Sequence, residues 1–269
     1  MFSKVFSGPI MKGLDKNCSA VEKNLSLARA KQLMETINPF ILRRTGNILS
    51  KFLPAKHEYS VFIKMTPLQE QLYNRVIDSR GKGFLSDGKS ESYGEIFSIL
   101  TVLRKILNHP KLLSSIDSKY AQEAKGGLPE NFWDEDLTYY SAKFKFLESV
   151  YDQALQDDEK IVVVSYWTTT LDILAAWLKT KSQQYTRLDG SMNMKKRQKA
   201  IDIFNDRKSP YRTILLCAKA GGVGLNLTSG NRMVLFDADW NPSWDLQVMG
   251  RIWREGQLKT VHIYRYPPP

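Results

Sequence analysis

The run IVVVSY, residues 161–166, decides the fold. It holds no charge, and its first four positions are β-branched, which describes a strand buried on both faces rather than one alternating between core and water. Further strand-forming runs follow: QYTRLD at 184–189, RTILLC at 212–217, MVLFDA at 233–238 and TVHIYR at 260–265. Segments with helical spacing lie at 141–156, 168–180 and 194–206, and a short helix carries QVMGRIWR at 247–254. Continuous apolar strands alternating with helices imply an α/β fold, a parallel sheet with helices on both faces.

Composition sets the outer limits. A chain of 269 residues with 42% hydrophobic content can bury a full core, as one large domain or one domain with a substantial appendage. No apolar run approaches the roughly 20 residues that span a bilayer, and no signal-peptide pattern opens the chain, so neither membrane nor secretion is indicated. Cys18 and Cys217 are the only cysteines, which argues against a disulfide scaffold and fits a reducing compartment. His57, His109 and His262 are too scattered to suggest a metal site, and no structural zinc is expected. The net charge of +11 divides into +9 for residues 1–113, −6 for 114–158 and +8 for 159–269. Two basic blocks around an acidic stretch suit a protein that holds a polyanion, although charge alone does not single out nucleic acid.

Upstream of the α/β pattern the chain reads as mostly helical. Leu25, Leu27, Ala30, Leu33 and Ile37 fall at helical spacing ahead of Pro39. HEYSVFIKM at 57–65 alternates like a strand, and Thr66-Pro67 then reads as an N-cap with proline at the first helical position, opening a helix to about residue 80. Residues 81–88 read as a flexible loop containing glycine, and 92–108 as a helix with Ile96, Ile99, Leu100, Leu103, Ile106 and Leu107 along its apolar stripe, stopping before Pro110. Residues 114–140 read as an acidic linker or insertion.

In an open parallel sheet, ligands meet the loops at the carboxyl ends of the strands. On a helix over 247–254, Gln247, Arg251 and Arg254 stand at i, i+4 and i+7 and share a face; two guanidiniums side by side call for an anion, and phosphate suits their planar donors. LCAKAGGVGLNL, leaving its strand at Cys217, presents Lys219, Gly221, Gly222 and Gly224, either as a backbone cradle for phosphate or sugar or as a plain glycine-rich turn. Gly190 and Ser191 fall between a strand and a helix, where free backbone N–H groups could meet a nucleic-acid phosphate, with Lys195, Lys196 and Arg197 in the first turns. Ser165, Tyr166 and Trp167 end another strand, the tryptophan serving as a contact or as packing. Ser243 reads as an N-cap and Trp240 as a wedge at the entry to the arginine helix. The chain contains no GxxxxGK[ST] phosphate loop and no DExx-like acid pair near its start, so the arginines have no nucleotide cradle beside them. The GxGxxG spacing and following acid of a dinucleotide enzyme are not met either.

Taken together, SYW (165–167), RLDGSM (187–192), the stretch 216–257 and VHIYR (261–265) resemble, in order and spacing, motifs IV, IVa, V and VI in the C-terminal motor lobe of the SWI/SNF-like ATPases of helicase superfamily 2. GRIWREGQ, with Trp253 where many remodellers carry histidine, is most similar to the homologous-recombination branch of RAD-type DNA translocases. FSKVFSGPI, INPFILRRT, LPAKHE and LRKILNHPKLL resemble the family's passage from the first lobe into the second. The resemblance implies a RecA-like lobe over 141–269, the end of a first lobe or linker at 1–19, and a helical protrusion with the lead-in to lobe 2 over 20–113. It implies an ATP-driven motor tracking along double-stranded DNA in recombination, repair or chromatin remodelling, in the nucleus. Arg251 and Arg254 would be arginine fingers and Gln247 their companion near the γ-phosphate. Gly222, Gly224 and Asn226 would lie on the nucleotide side, and Ser165, Arg187, Gly190, Ser191, Lys195 and Lys219 would touch the DNA backbone. ATP and Mg²⁺ would be held mainly by the first RecA-like lobe in cis, a recombinase or nucleosome being a further partner. The chain is expected to be part of a longer protein and, by itself, to hydrolyse no ATP. The alternative is a non-catalytic nucleic-acid or protein-interaction module on the same fold.

Overall fold

The computed structural model describes residues 1–42, 46–87, 93–134, 136–222, 224–237, 239 and 241–266. They form two compact units, Met1–Lys51 and Phe52–Pro269. In the first, a π-helical turn (Ser3–Ser7) and helix α1 (Gly8–Lys12) precede α2 (Ala20–Ile37). A capping box starts α2: Ser19 Oγ accepts from the Glu22 amide, and the Glu22 carboxylate accepts from the Ser19 amide at 2.9 Å. That bond holds the Glu22 carboxyl below its usual range. Ser26 Oγ donates to Ile10 O at 3.1 Å and ties α2 to α1.

The second unit contains a six-stranded sheet, all parallel, in the order β1 (Lys56–Ser60), β6 (Val261–Arg265), β5 (Arg232–Leu235), β2 (Ile161–Ser165), β4 (Thr213–Cys217), β3 (Tyr185–Leu188). Alternate residues of the central strands feed opposite cores. Ile161, Val163, Leu215 and Val234 face α6 (Ala142–Gln156) and α7 (Thr168–Thr180), packing on Phe144, Leu147, Leu171 and Trp177. Val162, Val164, Ile214, Leu216 and Met233 face α8 (Met194–Asn205) and α9 (Pro242–Met249), with Phe204, Val248 and Ile252 among their neighbours. Each such aliphatic side chain contributes about 1.5–3 kcal/mol on leaving water, so strands buried on both faces must read as unbroken apolar runs.

A helical cluster precedes the sheet: α3 (Pro67–Asp87), α4 (Tyr93–Asn108) and α5 (Lys119–Lys125). Thr66 caps α3 as its sequence indicates, its Oγ1 accepting from the Gln69 amide at 3.3 Å. Gln69 then reaches from α3 to the carbonyls of Ile106 and Leu107 at 2.8 and 3.0 Å and accepts from the Ala142 amide, fastening α3, α4 and α6 together.

Several expectations are corrected here. Residues 81–87 are helical, since glycines at 81 and 83 weaken a helix by about 1 kcal/mol each without ending it; Gly88 lies outside the described residues, as does Ser92 at the expected start of α4. The buried face of α4 is Ile99, Val102, Leu103 and Ile106, while Ile96 and Leu100 stay exposed. Residues 114–140, expected as an acidic linker or insertion, carry α5, and Tyr120, Ala121, Ala124 and Phe132 are buried; small alanines gave that face a weak hydrophobic signal. The strand expected at 57–65 is shorter: β1 ends at Ser60, and it extends the sheet beside β6 in parallel register. That pairing stacks His57 on His262 at 5.5 Å, so two of the three histidines are neighbours.

Candidate functional site

All six strands deliver their carboxyl ends to one edge of the sheet. A cleft of about 450 Å³ opens there, lined by Trp167, Gly190, Arg197 and Lys219 among others. Lys219 is exposed, its ammonium 5.9 Å from the centre of the Trp167 ring. A Cβ added at Gly190 would meet nothing within 4 Å, so the backbone there is open to a ligand.

The rim of this cleft is held by Asp189. Its carboxylate accepts from the Ser191 amide at 3.0 Å and from Arg187 Nε at 2.8 Å, while Arg197 donates to the carbonyls of Met192 and Asp189. The Ser191 hydroxyl first, and then its amide and Arg187, keep the Asp189 carboxyl below its usual range. Helix α8 begins only at Met194, with Asn193 Oδ1 accepting from the Lys196 amide at 2.9 Å. The Ser191 and Lys196 N–H groups, expected free for phosphate, are therefore already bonded. Arg187 is likewise committed, to Asp189 and to Asp172 at 2.6 Å, whereas Lys195 is exposed.

The arginine segment departs from its expected geometry. Helix α9 ends at Met249 with Gly250 as C-cap, and the chain continues in turns through Arg251 N–H to Val248 O (2.9 Å) and Trp253 N–H to Met249 O (3.2 Å). Gln247, Arg251 and Arg254 thus do not share one helical face. The cause is packing: Ile252 is buried in the sheet core, and Trp253 Nε1 donates to Pro54 O at 2.9 Å while Lys56 lies 4.6 Å over its ring. Asn241, not Ser243, caps α9, because Pro242 takes the first helical position. Trp240 lies outside the described residues.

The turn is stitched to the glycine-rich loop instead. Leu227 N–H donates to Arg251 O at 3.0 Å, and Arg254 Nη1 donates to Leu225 O at 3.2 Å. Gln257 Nε2 closes the arrangement on the carbonyls of Gly230 and Ile252. Gly222 ends a 3-10 turn (Ala218–Gly222), Gly224 has φ +35° and is exposed, and Asn226 is exposed with its carbonyl held by Asn205. The structure therefore brings the two arginines against the loop at Leu225 and Leu227, next to Gly224 and Asn226. Arg251 Nε is buried with no hydrogen-bond partner among the described residues, and burial first, then the Arg254 charge, depress its pKa. A buried donor left unpaired costs about 1–3 kcal/mol, and two crowded guanidiniums fit an anion.

Sequence reasoning missed the polar group behind the cleft. Asp237, just past β5, accepts from Asn108 Nδ2, from Ser165 Oγ and from the Tyr166 amide. Lys143 Nζ donates to Asn108 Oδ1 at 2.7 Å and Phe236 O at 2.9 Å, with the Phe236 and Tyr266 rings beside it. Burial pulls the Lys143 ammonium down to about 8, against the opposing pull of Asp237. Ser165 is consequently fully buried, its hydroxyl spent on Asp237. Tyr166 OH donates to Asp245 of α9 at 3.0 Å, and burial raises both groups. His109 is buried and held down to about 4 by burial; Nδ1 accepts from the Lys111 amide and Nε2 donates to Leu137 O, which makes it a structural neutral histidine. A lysine and an aspartate flanking otherwise apolar segments were the available signals.

Comparison with known proteins fits this geometry. Residues 142–256 match the helicase conserved C-terminal domain, and residues 1–112 match the SNF2-related domain. The chain belongs to the SNF2-related helicase family. This SNF2-related chain is 38% identical over 272 residues to the DNA repair and recombination protein RAD54 of Saccharomyces cerevisiae, covering 98% of this chain and 30% of that protein. It is 39% identical over 273 residues to the human DNA repair and recombination protein RAD54-like, covering 98% of this chain and 36% of that one. The chain thus spans about a third of the length of the curated relatives it matches. Among solved structures, the SWI2/SNF2 ATPase core of Sulfolobus solfataricus in complex with dsDNA superimposes with a TM-score of 0.62 at 26% identity, over 99% of this chain and 50% of that one. The C-terminal part of the Fun30 ATPase domain shares the fold, with a TM-score of 0.62 at 23% identity over 80% of this chain and 85% of that one. The parallel sheet with helices on both faces is accordingly RecA-like. Among the described residues of this SNF2-related chain, no group of three His, Cys, Asp or Glu side chains is arranged to hold a metal ion, and no helix is long and apolar enough to cross a membrane.

Proposed function

We propose that this chain is the second motor lobe, with its helical lead-in, of a nuclear ATP-driven translocase on double-stranded DNA that serves homologous recombination and repair. The observation that carries the reading is a joined pair of elements: Arg251, whose buried Nε has no hydrogen-bond partner among the described residues, and Arg254, bonded to Leu225 of the loop that also holds Gly224 and Asn226. The names of the relatives, DNA repair and recombination proteins, and the dsDNA bound by the Sulfolobus core support the substrate. ATP and its Mg²⁺ would be held by the first lobe in cis, and the two guanidiniums would meet charge developing on the γ-phosphate oxygens. Gln247, exposed on α9 one turn earlier, would face the same phosphate. The partner recombinase or nucleosome follows from the same reading.

On the DNA side, Lys219, Lys195 and the open backbone at Gly190 would touch the phosphates. Ser165 and Arg187 act from behind, through Asp237 and Asp189, and the Ser191 amide serves the same rim. The function is tested in the complete motor, whose ATP hydrolysis is expected to rise on addition of duplex DNA; absence of ATP hydrolysis, with or without duplex, would count for the non-catalytic module, and turnover that ignores duplex would count against a DNA motor. A second expectation concerns Lys219→Ala with Lys195→Ala. Duplex affinity, read by fluorescence anisotropy across a series of salt concentrations, should fall, and the slope of log K against log salt should flatten by about two, one for each phosphate that no longer meets a lysine. Binding that ignores salt in the parent chain would remove the DNA surface.

A further inference from the structure

The cleft lies at the carboxyl ends of the strands, yet a second cavity of about 320 Å³ opens at their amino ends. It forms where the chain enters four neighbouring strands. Lys160 immediately precedes β2, Arg212 precedes β4, Thr228 lies on the approach to β5, and Lys259 comes just before β6. Arg207, beyond the end of α8, completes the wall. Four cations thus line one cavity together with a single carboxylate, Asp158.

The internal bonding leaves that charge largely uncompensated. Asp158 is paired with Arg212 at 2.5 Å, and its backbone carbonyl accepts from Lys259 Nζ at 3.3 Å. Lys160 Nζ donates to the carbonyls of Phe204 and Asp206, both at 2.7 Å, which fixes its position without neutralising it. Burial first, and then the Arg212 charge, lower the Lys160 pKa; the side chains of Asp206 and Asp158 oppose this. Arg207 is exposed at the mouth of the cavity. Two guanidinium forks, two ammonium groups and a threonine hydroxyl around a cavity of this size are the donors that recognise a tetrahedral oxyanion.

We propose that this cavity at the amino ends of the strands binds a phosphate group, through Arg207, Lys259, Arg212 and Thr228. The source is either a backbone phosphate of nucleic acid passing this edge of the sheet or a free phosphate. The assignment uses none of the groups at the carboxyl ends and stands independently of the motor reading. Phosphate here would offset the crowding of Lys160 and Arg212.

The test uses the full chain, inorganic pyrophosphate and a duplex oligonucleotide as probes, and the double variant Arg207→Ala/Lys259→Ala. Pyrophosphate should shift the NMR amide signals of Thr228, Ser229 and Lys259, and the double variant should weaken its binding by about tenfold or more. Should the variant also flatten the salt dependence of duplex binding by about one to two, the phosphate belongs to nucleic acid; loss of pyrophosphate binding alone assigns the cavity to a free phosphate. Arg207→Gln alone, an exposed change, gives the same readings if the double variant unfolds. Unshifted amides, or variants that bind both probes as the parent does, overturn the proposal.

Discussion

Replacing Arg251 by alanine in the complete motor should lower the ATP turnover number by about 10³–10⁵-fold, the worth of an arginine finger, while duplex affinity and thermal stability stay close to those of the parent. The second half of this expectation comes from the structure. Arg251 Nε is buried with no hydrogen-bond partner among the described residues, and the neighbouring Arg254 charge adds repulsion. Removing a group that costs free energy in the folded state should not lower the melting temperature. Arg251→Lys should recover little, because an ammonium lacks the planar fork that spans two phosphate oxygens. Arg254→Ala should lose turnover too, and should loosen the loop at Leu225, whose carbonyl it holds at 3.2 Å; a rise in KM for ATP would read out that second effect. Steady-state hydrolysis at saturating duplex, with a melting curve for each variant, separates these outcomes. Turnover unchanged in both variants would remove the finger role.

Much of the sheet is legible because its central strands are buried on both faces. IVVVSY, RTILLC and MVLFDA have few alternative homes; β2 and β4 lie within the first two, and β5 starts one residue before the third and ends at Leu235. Strand β1 is harder to read: KHEYS is exposed along most of its length and sits at the side of the sheet, where its ladder partner among the described residues, β6, lies some two hundred residues away. Local pattern carries no trace of such a pairing. Helix α5 hides for another reason, since Ala121 and Ala124 pack tightly while adding little to an apolar period. Residues 81–87 show the reverse error, glycines read as a loop inside a continuing helix.

At the candidate site, residue types were legible and their bonding was not. The sequence pairs Arg251 with Arg254 correctly as neighbours but on a helix that stops at Met249, because Ile252 and Trp253 are pulled into the core and against Pro54. Ser165 and Ser191 look like free hydroxyls at strand ends until Asp237 and Asp189 are seen to hold them. A carboxylate that organises a loop from 72 residues away leaves no spacing rule behind.

That organising group leads to a pH effect in the folded chain. The Lys143 ammonium is buried and lies at about 8, against 10.5 for a lysine in the unfolded chain. Below pH 8 both folded and unfolded chains hold this proton, and the full cost of burying the charge is present. Between about 8 and 10.5 the folded chain releases it while the unfolded chain keeps it, so the unfolded state binds more protons and stability rises with pH. The gap between 10.5 and about 8 corresponds to about 3 kcal/mol, at roughly 1.36 kcal/mol for each pH unit. Parent stability minus that of Lys143→Met, measured by urea unfolding at steps from pH 7 to pH 10.5, should grow by about that amount; the difference cancels tyrosines and other lysines common to both. Asp237→Asn should act in the opposite sense at neutral pH. It strips the charge that favours the ammonium and weakens the acceptor for Ser165 and Tyr166, at a cost of about 1.5–3 kcal/mol for hydrogen bonds to a charged acceptor. A difference between parent and Lys143→Met that stays flat from pH 7 to pH 10.5 would mean that Lys143 keeps its proton throughout, and the network would then be held by a full charge rather than by hydrogen bonds to Asn108 and Phe236.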